Sequence, residues 1–261
     1  MSVTPLDGRR VVVTRARAQA SGLVDRLTEL GADVVELPVI AVADPADGGV
    51  ALGAAADRLA AGAYRWVVFT SSNAVTRALA ALGDRVVPPS TRWAAVGTGT
   101  ARALEEAGRP VDLMPEVSVA EALAASFPAA DSSGDGHRTV LFPRAETVRG
   151  AVAAGLEAKG WAVDEVVAYR TVAGDPSDEA LEAAAGADAV AFTSSSTVER
   201  ALELLGRDRM PSVVVTIGPI TSATARASGL SVAAEAGPHT IAGLVDALVS
   251  ALGGNVGGPL P

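Results

Sequence analysis

The tetrapeptide Phe-Thr-Ser-Ser occurs twice in this chain, at Phe69–Ser72 followed by Asn73 and at Phe192–Ser195 followed by Ser196. Ser, Thr and Asn are the residue types that accept hydrogen bonds from the unpaired backbone N–H groups of a helix start. That start also carries partial positive charge and suits a carboxylate or phosphate. Ser71, Ser72, Asn73, Ser194 and Ser195 are therefore candidates both for capping a helix and for holding an anion. A second pair of turns, Gly97-Thr98-Gly99-Thr100 and Gly218-Pro219-Ile220-Thr221, half-resembles a dinucleotide-binding loop. The third glycine position holds Arg102 and the sister copy holds Pro219, so a nucleotide cofactor is weakly supported. Arg15 and Arg144 each follow an apolar run, and a guanidinium fork matches a carboxylate in two-point geometry. Both also read as solvated arginines at a helix start. Tyr169, one of only 2 tyrosines, suits either proton donation or packing at a junction. His137, in a Gly/Ser-rich loop, and His239, beside a helix cap, read as structural or incidental.

The inventory removes whole classes of chemistry. With Cys 0 there is no disulfide, thiolate metal site, iron–sulfur cluster or cysteine nucleophile. Two histidines distant in sequence make a metal site an unsupported reading. No phosphate-binding GxxxxGK[ST] loop and no GxSxG nucleophile elbow occurs. Lys159, the only lysine, is the single residue that could form a Schiff base, and it precedes a glycine. The balance of 21 basic against 30 acidic residues, net −9, argues against a general partner in nucleic acid or anionic membrane. Hydrophobic types at 49% and charged types at 20% are ordinary for a soluble globular chain. No uncharged apolar run reaches about 18 residues and no basic-then-apolar leader opens the chain, so the cytoplasm is the expected compartment.

The elements that must position these residues alternate along the chain. Strand-like runs lie at Val11–Thr14, Val67–Thr70, Trp93–Val96, Val111–Leu113, Thr139–Phe142, Ala189–Thr193, Val213–Ile217 and Ser231–Ala233. Amphipathic helical patterns separate them, such as Leu23/Leu27/Leu30 and Ile241/Leu244/Val245/Leu248. Strands joined through helices imply parallel sheets covered on both faces, an α/β class. Residues 66–83 match residues 189–206 at 11 of 18 positions, which reads as duplication of a unit of about 125 residues. Two runs, Val34–Val42 with Pro38 inside it and Val163–Val172, are longer than the usual strand of about five or six residues; each reads as a strand that runs on into a connection between the halves, or simply as one long strand plus a loop. Ala129–His137 reads as a solvated loop, and Gly253–Pro261 as a disordered tail.

The order and spacing of Val13-Thr14-Arg15, Gln19, Gly31, Pro38, Phe69–Val75, Val96-Gly97, Thr100-Ala101, Pro143-Arg144, Val167-Ala168-Tyr169, Phe192-Thr193-Ser194, Ile217-Gly218-Pro219 and Thr221 resemble the uroporphyrinogen-III synthase family. The resemblance runs from Val11 to Leu252. It implies two flavodoxin-like parallel-sheet domains joined by a two-stranded antiparallel ladder, one built from residues 1–38 and 171–256, the other from 42–168, with a tail at 257–261. It implies a hydro-lyase that closes the linear tetrapyrrole hydroxymethylbilane to uroporphyrinogen III, losing water and inverting the terminal ring. Tyr169 would assist hydroxyl loss as an acid. Arg15, Ser71, Ser72, Asn73, Gly97, Thr98, Thr100, Arg144, Ser194, Ser195, Gly218 and Thr221 would bind substrate in a cleft lined from both domains. No metal or organic cofactor is implied, and a cytoplasmic monomer is expected. The other readings are a two-domain nucleotide-sugar transferase and a noncatalytic two-lobed anion-binding protein.

Overall fold

The computed structural model describes residues 4–130, 138–147 and 150–253, with residues 17–19 described by backbone alone. His137, nearly all of the Ala129–His137 loop, the side chain of Gln19 and the tail at 257–261 lie outside the described residues. In chain order the first elements are β1 (Arg10–Val13), α1 (Arg17–Glu29), β2 (Asp33–Glu36), β3 (Ile40–Ala43), α2 (Val50–Ala60), β4 (Trp66–Phe69) and α3 (Ser72–Leu82). Next come β5 (Arg92–Ala95), α4 (Thr98–Glu106), α5 (Ala120–Ser126), β6 (Thr139–Ala145), α6 (Ala151–Glu157) and β7 (Ala162–Ala173). The chain continues through α7 (Asp178–Ala185), β8 (Ala189–Phe192), α8 (Ser195–Leu205), β9 (Val213–Thr216), α9 (Pro219–Ala227), β10 (Val232–Glu235) and α10 (Ile241–Ala251).

Two compact units result, Met1–Ala41 with Val172–Pro261, and Val42–Thr171. The first carries a sheet in the order β10-β9-β8-β1-β2, with every adjacent pair parallel. Successive residues of its strands point to opposite faces. Val11 and Val13 pack with Leu23 and Leu27 of α1 and with Leu244 and Leu248 of α10. Val12, Val190 and Phe192 pack on the other face with Val198, Ala201 and Leu205 of α8. Both faces are thus covered, which is why β8 reads as an unbroken apolar run rather than an alternating one. Each fully buried Leu, Val or Phe contributes about 1.5–3 kcal/mol.

The second unit repeats the plan with the order β3-β7-β6-β4-β5. Val67, Phe69 and Leu141 face α2 and α3, while Trp66, Val68, Val140 and Phe142 face α5 and α6. The first overlong run splits into β2 and β3 around Pro38, and the second is one strand, the 12-residue β7. The Val39 carbonyl accepts from the Gly174 amide and the Asp44 carbonyl from Arg170 Nε, each at 2.8 Å, so β3 and the end of β7 run in opposite directions.

One expected strand is not a full one: Val111–Leu113 contributes a single bridge, Ala94 to Leu113. The Asp112 carboxylate accepts from the Trp93 amide at 2.8 Å and so occupies a donor that a strand carbonyl would otherwise use.

Candidate functional site

In the unit Val42–Thr171, β4 ends at Phe69 and α3 opens at Ser72. Ser71 is the N-cap, in extended conformation (φ −156°, ψ 149°), and its Oγ accepts from the Ala74 amide at 3.2 Å. The capping reading of this serine is therefore correct. A further bond reaches the same atom: Tyr169 Oη donates to Ser71 Oγ at 3.1 Å.

Tyr169 arrives there through a slip in the sheet. Arg144 lies opposite Val167 but Ala145 lies opposite Tyr169, so β7 carries one extra residue. A bulge of this kind re-aims a side chain. Here Ala168 and Tyr169, neighbours in sequence, are both buried, at 1% and 8% exposure, and both pack in the core beneath α3.

The unit Met1–Ala41 with Val172–Pro261 holds the sister turn. Ser194 caps α8 with nearly the same angles (φ −162°, ψ 161°), and its Oγ accepts from the Thr197 amide at 3.3 Å. Thr197 Oγ1 lies 3.3 Å from the Ser194 amide and accepts from it, completing a reciprocal cap. Ser195 Oγ pairs with Thr224 Oγ1 at 2.7 Å and ties α8 to α9. These hydroxyls serve the fold, so what α8 offers an anion is backbone, the Ser195 and Ser196 amides.

The glycine turns also repeat. Gly97 precedes α4 (φ −172°, ψ 177°) and Gly218 precedes α9 (φ 176°, ψ 177°). This extended backbone is open to any residue, so conformation does not require glycine; close approach favours it, strongly at Gly97 and mildly at Gly218. A Cβ on Gly97 would lie 2.4 Å from Ser118 Oγ, and one on Gly218 would lie 3.3 Å from the His239 ring. Ser118 and His239 each fall twenty-one residues after their glycine. Sequence reasoning assigned nothing to Ser118 and set His239 aside; the shared spacing was the signal that could have found them. Thr100 and Thr221, at 6% and 5% exposure, lie on the buried sides of their helices, whereas Thr98 and Ile220 are exposed. Pro219, the first residue of α9, has no amide to offer.

The two arginines part company. The Arg144 guanidinium pairs with Glu165 (Nε to Oε2, 2.7 Å) and donates to the Ala145 and Glu146 carbonyls at 2.8 and 2.9 Å. The Nε contact has ion-pair distance without hydrogen-bond alignment, and it supplies charge balance alone. Arg15 follows β1 beside Thr14, whose buried hydroxyl donates to the Ala191 carbonyl at 3.0 Å. Burial lowers the Arg15 guanidinium below its ordinary value, and no carboxylate among the described residues balances it. Arg15 thus has no balancing carboxylate among the described residues and is open to an anion, whereas the charge of Arg144 is already balanced by Glu165. Among the described residues no group of three His, Asp or Glu side chains is arranged to hold a metal ion. No helix among them is long and apolar enough to cross a membrane.

Comparison with known proteins gives a consistent result. The family model described as "Uroporphyrinogen-III synthase HemD" matches residues 21–246. The chain is 33% identical to a uroporphyrinogen-III synthase of Synechococcus elongatus, over 95% of this chain and 97% of that one. It is 30% identical to a porphyrin biosynthesis protein HemD of Ruminiclostridium josui, over 97% of this chain and 50% of that longer one. Its fold is similar to crystal structures of a mutant uroporphyrinogen III synthase from Thermus thermophilus (TM-score 0.60, 19% identity, 94% of this chain and 99% of that one) and of the Helicobacter pylori synthetase (TM-score 0.60, 15% identity, 93% and 99%). Matched along most of its length by the family model and along nearly all of it by a named relative, this chain belongs to the uroporphyrinogen-III synthase family.

Proposed function

We propose that this protein closes hydroxymethylbilane to uroporphyrinogen III, with loss of water and inversion of the terminal pyrrole ring. Membership of the family supports the reading. The observation that carries it into this chain is the repeated helix-opening turn, Ser71 and Ser194, at matching backbone angles in an acidic protein. A net charge of −9 does not attract a polycarboxylate, so recognition falls to local donors: the amides opening α3, α4, α8 and α9, and the Arg15 guanidinium.

The chemistry asks little of side chains. The electron-rich pyrrole expels its own hydroxyl once that oxygen is protonated, and the protein's task is to hold the flexible chain so that the substituted carbon of the last ring is attacked. Tyr169 is the proton source in this reading, contributing about 10²-fold, the low end for a positioned acid acting on a good leaving group. No metal or organic cofactor takes part.

The test is an assay with freshly generated hydroxymethylbilane that separates the I and III isomers. Isomer III is the expected product. Only isomer I, the product of closure without inversion, would sink the proposal.

A further inference from the structure

The hydroxyl hydrogens around Ser71 can be counted. Tyr169 Oη donates to Ser71 Oγ at 3.1 Å, which commits the phenolic hydrogen. Ser71 Oγ also accepts from the Ala74 amide at 3.2 Å, so both lone pairs of the serine oxygen are used. The Ser71 hydrogen has no acceptor among the described residues. Ser71 is half-buried at the start of α3, while Tyr169 lies beneath it in the core. A ligand at the head of α3 therefore meets the serine hydroxyl before the phenol.

We infer that Ser71 is the group that protonates the departing hydroxyl and that Tyr169 acts behind it by reprotonating the serine. The inference rests on the reaction proposed above. The carbon–oxygen bond of the hydroxymethyl group breaks, and its electron pair leaves with oxygen as water carrying the Ser71 hydrogen. The pyrrole nitrogen supplies electrons to the carbon left behind. The Tyr169 hydrogen moves to Ser71 Oγ along the bond already present. The hydrogen that the substrate loses on ring closure restores the phenol. Atoms and charge balance without an added reactant. Ser71 is then the catalytic residue and Tyr169 its positioning and recharging partner.

Five variants test this, each checked for an unchanged fold by thermal melting and circular dichroism: Tyr169→Phe, Ser71→Ala, the double variant, Ser71→Thr, which keeps both cap and hydroxyl, and Ser71→Asn. The expected result is a loss of kcat by a similar factor, up to about 10²-fold, in both single alanine and phenylalanine variants. The double variant is expected to be no slower than either, because one relay is broken twice. Ser71→Thr restores turnover, and Ser71→Asn, which caps the helix without an acidic hydrogen, stays slow. If Ser71→Ala turns over at or above the wild-type rate while Tyr169→Phe is slow, the phenol donates directly and the relay is wrong. A double variant slowed by the product of the single effects also overturns it. Wild-type turnover in Tyr169→Phe is a different failure, since it removes the tyrosine from the proposed reaction altogether.

Discussion

The His239 ring stands 3.3 Å from where Gly218 would carry a Cβ, and Ser118 crowds Gly97 in the same way at 2.4 Å. Two copies of one turn thus use glycine for the same reason, to let a side chain from a following loop lie against a helix start. The nearer approach should be the costlier one to fill. Gly97→Ala is expected to destabilise the protein by about 1–3 kcal/mol, as overpacking does, and Gly218→Ala by less. Adding Ser118→Gly to Gly97→Ala should recover most of the loss. Denaturant midpoints of the three variants check this, and equal costs at both glycines would contradict it.

Arg15 and Arg144 should separate binding from folding. A charge-assisted hydrogen bond is worth about 1.5–3 kcal/mol. Arg15→Gln should therefore raise KM roughly tenfold or more, with little change in melting temperature. Arg144→Gln strands Glu165 and should lower stability instead, with KM nearly constant. A matching rise in KM for both variants would show that Arg144 leaves its internal partners to hold substrate.

Recognition by backbone can be tested where proline is structurally tolerated. Ser195 is the first residue of α8, a position proline fills without breaking a helix, as Pro219 does in α9. Ser194 already has the extended conformation required of a residue before proline. Ser195→Ala removes only the hydroxyl bond to Thr224, whereas Ser195→Pro also removes the amide. Substrate affinity should fall roughly tenfold or more further in the proline variant, about the worth of one hydrogen bond to a charged group. Equal KM values for the two would assign recognition to side chains.

Tyr64 sets an alkaline limit. It is buried, donates to the Asp164 carboxylate and accepts from Arg58 Nε at 2.8 Å. Burial first, and the bond to Asp164 next, push its phenol from 10.0 up to about 12. A raised value means that the folded state holds its proton longer than the unfolded chain. The resulting stability is complete below pH 10, shrinks as pH rises from 10 to about 12, and is gone above that. In Tyr169→Phe protein Tyr64 is the remaining tyrosine, so the ultraviolet absorbance of tyrosinate reports it alone. A step near the ordinary tyrosine value in the folded protein would contradict the assignment.

Local chemistry made much of this protein readable without coordinates. Unbroken apolar runs such as Ala189–Phe192 announce strands covered on both faces, and the repeated Ser-Ser after Phe-Thr announces a helix start. Pro38 marks the break between β2 and β3 because proline has no amide for a ladder. Those signals depend on residues within one turn or one strand of each other, and a sequence displays such neighbours directly. What only the tertiary structure decided involves partners far apart in the chain. Arg15 and Arg144 look alike in sequence, yet Glu165 neutralises one and no described residue neutralises the other. Tyr169 reaches Ser71, 98 positions away, because a one-residue register slip in β7 turns it inward above Ala168. Val111–Leu113 has strand composition, but the Asp112 carboxylate takes the Trp93 amide and leaves it one bridge. In each case the outcome is a competition for one donor, acceptor or charge among groups that meet only when the sheets form. Residue type sets what each group can bind, and the packed backbone sets which partner arrives.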